Sequence, residues 1–255
     1  MILTVDVGNA NIVVGVVKKE KILFDAKLRT DITKTSDEYC IDLKMILDVY
    51  GVAPKAIEGT IIASVVPQVL NSMQTAVKKL TGKDSLVVGP GLKTGLNIKI
   101  ENPSQTGADL VVGSVAALRE HKPPLIVLDM GTATTMIVLD ESGALIGGCI
   151  CPGVKISMDA LTERTALLPG LRLDQPKRAI GHNTIDCMRS GIMMGTACML
   201  DGMIQRMEEE LGEKTTVIAT GGIGKFIVPL CKNPMIYDKD LIVKGLAALY
   251  RDNTR

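Results

Sequence analysis

The chain uses one short pattern twice, and this repeat most constrains its fold. Residues 2–17 and 125–140 each hold an apolar run rich in β-branched residues, an Asp-x-Gly sequence and a second apolar run. The pairs that share a constant offset of 123 residues are Asp6 and Asp129, Gly8 and Gly131, and Ala10 and Ala133. Each copy predicts a strand, a tight turn and a second strand. The repeat therefore indicates two similar halves, residues 1–120 and 121–255.

The turn between the two strands has a definite chemical use. Gly8 and Gly131 allow a positive φ and a close approach of the backbone to a ligand. Backbone N–H groups exposed in such a turn form a concave anion site, and an Asp beside a bound phosphate can hold a divalent cation. An ordinary hairpin connection is the alternative for either copy alone. Two copies, each directly after a buried strand, favour the phosphate-binding interpretation.

Composition excludes several classes of partner. A chain of 255 residues with a net charge of +1 does not favour the backbone of a nucleic acid, and two Phe, four Tyr and no Trp do not favour base stacking. No apolar run reaches the roughly 18 residues of a membrane span, and the N-terminus enters a strand without a secretory signal. We therefore expect a cytoplasmic protein, whose scattered cysteines are free thiols. These cysteines are Cys40, Cys149, Cys151, Cys187, Cys198 and Cys231.

The order of elements is similar in the two halves. The first half reads β-β-β-α-β-α-β, with Thr35 and Glu38 at capping-box spacing before its first helix. The second half reads β-β-β-α-α-β-α-β-α, and its first helix is predicted from about residue 154 to 168. A strand at 216–220 runs into Gly221-Gly222, which is either a phosphate-type turn or a plain connection from strand to helix.

Asp109 is the carboxylate with the clearest candidate role outside the two turns. It follows an irregular segment, residues 92–107, and directly precedes an apolar run at 110–118 that predicts a helix. A carboxylate at a helix N-terminus stabilises the helix by capping alone. The same carboxylate could accept a proton from a substrate hydroxyl group that lies within hydrogen-bond reach. The residues alone leave both interpretations open.

Two β-β-β-α halves with phosphate-type turns are typical of the actin-like (ribonuclease H-like) ATPase and sugar-kinase architecture, in which nucleotide binds in the cleft between the halves. Over essentially its whole length the chain also resembles the type III pantothenate kinases. The segments that carry this resemblance are residues 6–9, 64–67, 87–91, 93–97, 102–103, 107–109, 129–134, 147–148, 152–153, 161, 168–169, 183–184 and 220–222. The two histidines, His121 and His182, belong to none of them and are expected on the surface or in loops.

The resemblance implies that ATP and pantothenate give ADP and 4′-phosphopantothenate, the first committed step towards coenzyme A. It also implies a general base, Asp109. The implied phosphate-binding residues are Asp6, Val7, Gly8, Asn9, Ala10, Asn11, Ile12, Val13 and Thr132. The implied pantothenate-binding residues are Gly107, Ala108, Asp109, Leu110 and Thr184. These roles agree with the chemistry of phosphoryl transfer, which needs positioning, charge neutralisation and one group to orient or deprotonate the hydroxyl.

The resemblance also implies two cation sites and a partner subunit. Asp6 is similar to the residue that orients Mg²⁺, and Asp129 is similar to the ligand of a monovalent cation, K⁺ or ammonium. The family forms homodimers with the substrate pocket near the subunit interface, so a homodimer is expected. No nucleic acid and no membrane are implied as partners.

Two positions depart from the family pattern. Ala10 stands where the family usually has Thr or Ser, and Leu110 stands where an arginine usually follows the Gly-x-Asp sequence. The first change removes a possible hydroxyl contact to phosphate, and the second removes a cation from the substrate site. An active kinase is the preferred hypothesis. The alternative is a degenerate paralogue that binds nucleotide or a coenzyme A precursor as a regulator. A phosphatase or polyphosphatase of the same superfamily is a third possibility, but the matches at 107–109 and 183–184 do not support it.

Overall fold

A computed structural model of the protein describes residues 1–254, which form two compact units. Unit 1 comprises residues 1–96, residues 101–116 and the C-terminal segment from Asp240. Unit 2 comprises residues 97–100 and 117–239. This grouping differs from a single cut near residue 120, because the end of the chain returns to the first unit.

Unit 1 is built on a five-stranded mixed sheet. Its strands are β1 (Ile2–Val7), β2 (Asn11–Lys18), β3 (Lys21–Arg29), β4 (Gly59–Ser64) and β5 (Ser85–Val87), and their spatial order is β3-β2-β1-β4-β5. Its helices are α1 (Ser36–Val49), α2 (Pro67–Thr81) and α7 (Leu241–Asn253), and α3 (Ala108–Glu120) begins in this unit. The pairs β1–β2 and β2–β3 are antiparallel, whereas β4 lies parallel to both β1 and β5.

Unit 2 repeats this arrangement. Its strands are β6 (Leu125–Met130), β7 (Ala133–Leu139), β8 (Leu145–Pro152), β9 (Thr216–Thr220) and β10 (Ile236–Tyr237), in the order β10-β9-β6-β7-β8. Its helices are α4 (Val154–Arg164), α5 (Thr184–Leu211) and α6 (Gly224–Ile227). Read from the edge formed by the third strand, both sheets run third, second, first, fourth, fifth. The predicted pair of similar halves, each beginning β-β-β-α, is therefore confirmed.

The helix signals of the sequence act as predicted at α1. The Thr35 hydroxyl accepts a hydrogen bond from the Glu38 N–H, and a Glu38 carboxylate oxygen accepts one from the Thr35 N–H at 2.8 Å. This capping box satisfies two donors that a helix start otherwise leaves without partners. Tyr39, Leu43 and Leu47 then bury one face of the helix against the sheet. Burial of each such side chain contributes about 1.5–3 kcal/mol.

One detail of the second unit differs from the prediction. The predicted helix at 154–168 is wrong at its end, because α4 stops at Arg164. There the backbone of Thr165 turns extended, and its hydroxyl donates to the Leu161 carbonyl at 2.7 Å, which satisfies one carbonyl of the last turn. The short helix α6 occupies the helix position that the predicted order places after the fourth strand, and that order, β-β-β-α-α-β-α-β-α, is confirmed.

The repeat itself is not perfectly regular in space. In β1–β2, Asp6 lies opposite Val13, whereas in β6–β7, Asp129 lies opposite Thr135. The second turn is therefore one residue shorter than the first. As a result, Ala133 occupies the place of Asn11 rather than that of Ala10, and the pairing of Ala10 with Ala133 read from the sequence is wrong. Among residues 1–254, no helix is both long and apolar enough to cross a membrane.

Candidate functional site

The first turn, residues 8–11, follows β1 and is closed by a backbone hydrogen bond. The Gly8 N–H donates to the Asn11 carbonyl at 3.0 Å. Asn9, Ala10 and Asn11 are exposed, and Asp6 is partly exposed near the end of β1. The turn therefore combines an accessible backbone with a carboxylate two residues before Gly8, as a phosphate site with a cation requires.

Some residues of this turn contribute only their backbone. The side chains of Val7 and Ile12 are completely buried in the core of unit 1, and Val13 is partly buried. They fix the strands on either side of the turn, and the side chains of Val7 and Ile12 are not available to a ligand at the surface. Six sequence-predicted phosphate-binding residues of unit 1 thus retain an exposed or partly exposed position: Asp6, Gly8, Asn9, Ala10, Asn11 and Val13.

Thr30 holds the first turn from the end of the third strand, and sequence reasoning missed it. Its hydroxyl donates to the Gly8 carbonyl at 2.6 Å, and its backbone N–H donates to the Ala10 carbonyl at 3.1 Å. The antiparallel pairing of β2 with β3 sets Arg29 opposite Asn11, which brings the next residue to the turn. A polar residue directly after the third strand of a β-β-β unit is the signal that could have identified it.

The second turn, residues 131–133, is closed by the Gly131 N–H, which donates to the Ala133 carbonyl at 3.0 Å. Thr132 is exposed at its tip. Gly153 lies against the turn so closely that a Cβ atom on it would come within 2.2 Å of the Thr132 carbonyl oxygen and 2.7 Å of that of Gly131. Glycine is therefore required at position 153, since any larger residue would overlap the backbone of the second turn.

Asp129 lies beside the loop that follows β9. Asp129 pairs with Thr220 in the parallel ladder, and Gly221 comes next with a φ of +93°. A Cβ atom on Gly221 would lie 2.5 Å from the Met130 carbonyl oxygen and 2.7 Å from Asp129 Oδ1. The Tyr237 hydroxyl donates to the Gly221 carbonyl at 3.0 Å and so holds the loop from β10. The Gly221-Gly222 sequence is thus packed against the carboxylate that was predicted to bind a cation.

Asp109 stands in the first turn of α3, and its carboxylate folds back towards Gly107. A Cβ atom on Gly107 would lie 2.5 Å from Asp109 Oδ1, so the glycine makes room for the carboxylate. The same oxygen accepts a hydrogen bond from the Leu110 N–H at 2.9 Å. Burial raises the pKa of the Asp109 carboxyl above its ordinary value, and the backbone N–H donors of Leu110 and of Asp109 itself partly offset that rise.

Close packing with α7 fixes the position of this helix. A Cβ atom on Gly245 of α7 would come within 2.4 Å of the Val112 carbonyl oxygen in α3. The same helix α7 packs on β1 and β4 of the sheet. Asp109 is therefore carried by a helix whose distance from α7 is set by contact with the backbone. Such contact restricts movement of the helix more than contact between flexible side chains would.

Thr184 begins the long helix α5 and is exposed. Asn183 caps this helix: its Oδ1 accepts from the Asp186 N–H at 2.9 Å, and its Nδ2 donates to the Asp186 carboxylate at 2.8 Å. The Asn183-Thr184 match to the family thus coincides with a well-formed helix start. Unit 1 carries the first turn and residues 107–110, and unit 2 carries Asp129, Thr132 and Thr184.

Metal and thiol chemistry have few other candidates. Within the described residues, no group of three or more His, Cys, Asp or Glu side chains is arranged to hold a metal ion. Mg²⁺ commonly takes one or two carboxylates and completes its coordination with substrate phosphates and water, so the single carboxylate of Asp6 beside the first turn suits it. His182 is exposed and contacts Arg178, and all six cysteines are free thiols.

Comparison with known proteins gives a consistent result. A family model described as type III pantothenate kinase matches residues 2–206. A protein of Halalkalibacterium halodurans named type III pantothenate kinase is 41% identical over 253 residues, covering 99% of this chain and 100% of its own. A protein of the same name from an Exiguobacterium species is 41% identical over 255 residues, covering 100% of both.

Among solved structures, the ROK hexokinase of Thermus thermophilus is similar to this chain with a TM-score of 0.53 and 10% identity. The similarity covers 100% of this chain and 99% of the hexokinase. At this identity the match concerns the fold alone, and it confirms the predicted actin-like, sugar-kinase architecture of two similar halves.

Proposed function

Because the chain belongs to the type III pantothenate kinase family, we propose that it transfers the terminal phosphoryl group of ATP to pantothenate. The products are ADP and 4′-phosphopantothenate, and the reaction is the first step of coenzyme A biosynthesis. The observation that carries the proposal is the Gly107–Asp109 segment, where burial raises the pKa of a carboxyl group at the start of α3, which supports its use as a base for a hydroxyl group.

Asp109 is the proposed general base. As a carboxylate it accepts the proton of the attacking pantothenate hydroxyl while the oxygen bonds to the γ-phosphorus and the bond from that phosphorus to the β,γ-bridging oxygen of ATP breaks. The electron pair of that bond leaves with ADP. Burial raises the pKa of Asp109, which makes it a stronger base than an exposed aspartate.

The two turns are the proposed phosphate sites. The first turn offers the exposed backbone of Asn9 and Ala10, and the second offers Thr132 at its tip. Donors that are fixed before the substrate arrives stabilise the charge that develops in phosphoryl transfer without further reorganisation. Hydrogen bonds within each turn, and the contacts of Thr30 and Gly153, provide this fixed geometry.

Two cations complete the proposal. Asp6 would hold Mg²⁺, and Asp129 would hold K⁺ or ammonium. These ions would neutralise phosphate charge, which is the main electrostatic demand of the reaction. Oxygen donors suit both types of cation, and Asp129 Oδ1 and the Met130 carbonyl oxygen both lie beside Gly221.

Pantothenate is proposed to contact residues 107–110 and Thr184, and the protein is proposed to act as a homodimer in the cytoplasm. Leu110 is the position that most affects this part of the proposal, because it replaces a residue that is usually arginine in the family. The Leu110 N–H donates to the Asp109 carboxylate, so the backbone at this position serves the base whatever its side chain is.

A coupled assay of ADP release with and without pantothenate tests the activity. Release that depends on pantothenate supports the kinase, whereas nucleotide binding without turnover supports a regulatory binding protein. Asp109→Asn should leave ATP affinity intact and lower kcat by about 10²–10⁴-fold, the usual contribution of general acid–base catalysis. A variant with lower stability but normal kcat would show that Asp109 only caps α3.

The pH dependence provides a second test of Asp109. The base works when ionised, so kcat/KM should fall as pH decreases through the pKa of Asp109. Because burial raises that pKa, the fall should begin at a higher pH than an ordinary aspartate would give. The residual activity of Asp109→Asn should lack this acidic limb. An unchanged limb in the variant would assign the titration to another group.

Leu110 is the observation that favours a binding protein as the second candidate. Pantothenate is an anion, and a hydrogen bond to a charged group contributes about 1.5–3 kcal/mol, or roughly 10- to 150-fold in affinity. If a weakened kinase is correct, Leu110→Arg should lower KM for pantothenate by about one to two decades and leave kcat near its original value. If the pocket suits an uncharged ligand, both proteins should lack activity, and the buried arginine should lower Tm.

A further inference from the structure

We propose that Thr30 is a positioning residue that makes the first turn selective for phosphate groups. This inference rests on the proposed use of the first turn as a nucleotide-phosphate site. Thr30 does not touch the reacting atoms in this proposal. It acts by holding two carbonyl groups of the turn, those of Gly8 and Ala10, through its hydroxyl and its backbone N–H.

The backbone groups of a turn differ in the sign of their partial charge. A peptide turn presents N–H groups, which attract an anion, and carbonyl oxygens, which repel it. In the first turn the Gly8 N–H is already bonded to the Asn11 carbonyl. Within residues 1–254, the N–H groups of Asn9 and Ala10 have no hydrogen-bond acceptor, and both residues are exposed. Thr30 occupies two of the carbonyls that flank these donors, those of Gly8 and Ala10, so fewer carbonyl oxygens oppose an anion at this turn.

Thr30 is itself held by a buried tyrosine. The Tyr39 hydroxyl accepts a hydrogen bond from the Asp31 N–H at 3.1 Å and donates one to the Asp31 carbonyl at 2.7 Å. Tyr39 is completely buried in the core of unit 1. Both backbone groups of Asp31, the residue after Thr30, are therefore bonded to a side chain packed in the core, which restrains the backbone that carries the Thr30 hydroxyl.

The arrangement also bears on Ala10. A residue with a hydroxyl at position 10 could contact phosphate directly, and alanine cannot. The Thr30 hydroxyl lies on the carbonyl side of the turn, where it is engaged with Gly8 at 2.6 Å. It therefore does not replace the missing contact, and instead it keeps the remaining backbone donors in place.

The test compares ligands with and without phosphate groups. Affinities for Mg-ADP and for adenosine are measured by calorimetry on the wild type, Thr30→Val, Thr30→Ser and Thr33→Val. Loss of one neutral hydrogen bond predicts that Thr30→Val weakens Mg-ADP binding by about 2- to 10-fold. Adenosine affinity should not change, and Thr30→Ser should restore Mg-ADP affinity. Thr33→Val is the matched control, because it removes a hydroxyl in the same loop that donates to an exposed Asp31 carboxylate.

Three results would overturn the assignment: unchanged Mg-ADP binding in Thr30→Val, a parallel loss for both ligands, or no recovery in Thr30→Ser. If Thr30→Val does not fold, Tyr39→Phe provides the test, since it leaves the Thr30 hydroxyl in place. This variant should weaken the binding of Mg-ADP, but not that of adenosine, by a smaller factor. The test does not require turnover. A wild type that binds Mg-ADP but releases no ADP with pantothenate would contradict the kinase proposal while the role of Thr30 is still measured.

Discussion

Thr30 and Gly153 occupy equivalent positions in the two units, and each supports the turn of its unit by a different type of contact. Each follows the third strand of its sheet directly, and each lies beside the carbonyl groups of the turn between the first and second strands. In unit 1 the contact is made by a hydroxyl group and an N–H group. In unit 2 the backbone of Gly153 makes the contact. Because glycine has no Cβ atom, this backbone can approach Gly131 and Thr132 closely.

The difference follows from what comes next in the chain. Gly153 leads at once into α4, which begins at Val154, so the backbone of the helix start is brought to the turn. Thr30 leads into a loop that reaches α1 only at Ser36, so a side chain must make the contact. A duplicated unit can thus keep its turn while the residue that supports it changes chemical type. Sequence similarity between the halves does not reveal such a pair.

The largest effect is expected from a single added methyl group. Gly153→Ala should destabilise the protein by about 2–3 kcal/mol, because the new Cβ atom would overlap backbone atoms of the second turn that cannot move aside. For a protein of this size, that corresponds to a fall in Tm of roughly 5–10 °C. Differential scanning calorimetry measures it.

Gly8→Ala is the matched control in the first turn. Its Cβ atom would lie 3.1 Å from the Asn11 carbonyl oxygen, a contact that a shift of a few tenths of an ångström relieves. We expect a loss below about 1 kcal/mol, the general cost of a well-tolerated substitution. Equal losses in the two variants would show that the two turns are supported in the same way.

The second prediction separates the two carboxylates by the ion each one serves. Asp6→Asn should raise the Mg²⁺ concentration needed for half-maximal activity, and Asp129→Asn should abolish the stimulation gained when K⁺ or ammonium replaces Na⁺. Loss of a charged contact predicts a change of about 10- to 100-fold in each case. Initial rates at fixed ionic strength measure both effects. Equal rates of the wild type in all three salts would contradict the role of Asp129.

The smallest effect is expected at Tyr237. Tyr237→Phe removes the hydrogen bond to the Gly221 carbonyl and should cost about 0.5–1.5 kcal/mol of stability. Because Gly221 lies against Asp129, the variant should also shift the dependence on monovalent cation while leaving Mg²⁺ dependence alone. Tyr50→Phe is the control, since Tyr50 is 49% exposed and stacks on Phe24 through its ring. If Tyr50→Phe shifts the cation dependence to the same extent, the effect does not arise at Gly221.

Local signals in the sequence were sufficient for most elements of the fold. The capping box at Thr35, the two Asp-x-Gly turns and the alternation of buried residues in the strands all depend on residues close together in the chain. The supports of the turns could not be read in this way. Thr30 lies 22 residues from Gly8 along the chain, and Tyr237 lies 16 residues from Gly221. No periodicity or motif in the sequence links residues at either separation.

The one-residue difference between the turns escaped prediction for another reason. The offset of 123 residues fits the first strand and the turn glycine, and an alanine happens to continue it at position 133. Only the pairing of Asp129 with Thr135 shows that the offset has changed by then. Closure of a turn after two or three residues depends on backbone angles that alanine and asparagine do not specify.

The return of α7 to unit 1 has a consequence for biosynthesis. Gly15 leaves room for Val243, Gly59 leaves room for the ring of Tyr250, and Gly245 leaves room for Val112. The strands of the first sheet are translated before residues 117–239, yet α7, which covers part of that sheet, is translated after them. Residues 117–239 can begin to fold before that sheet is covered. A premature stop codon or a frameshift just before α7 would therefore damage the first sheet and the helix that carries Asp109, although every proposed site residue would already have been made.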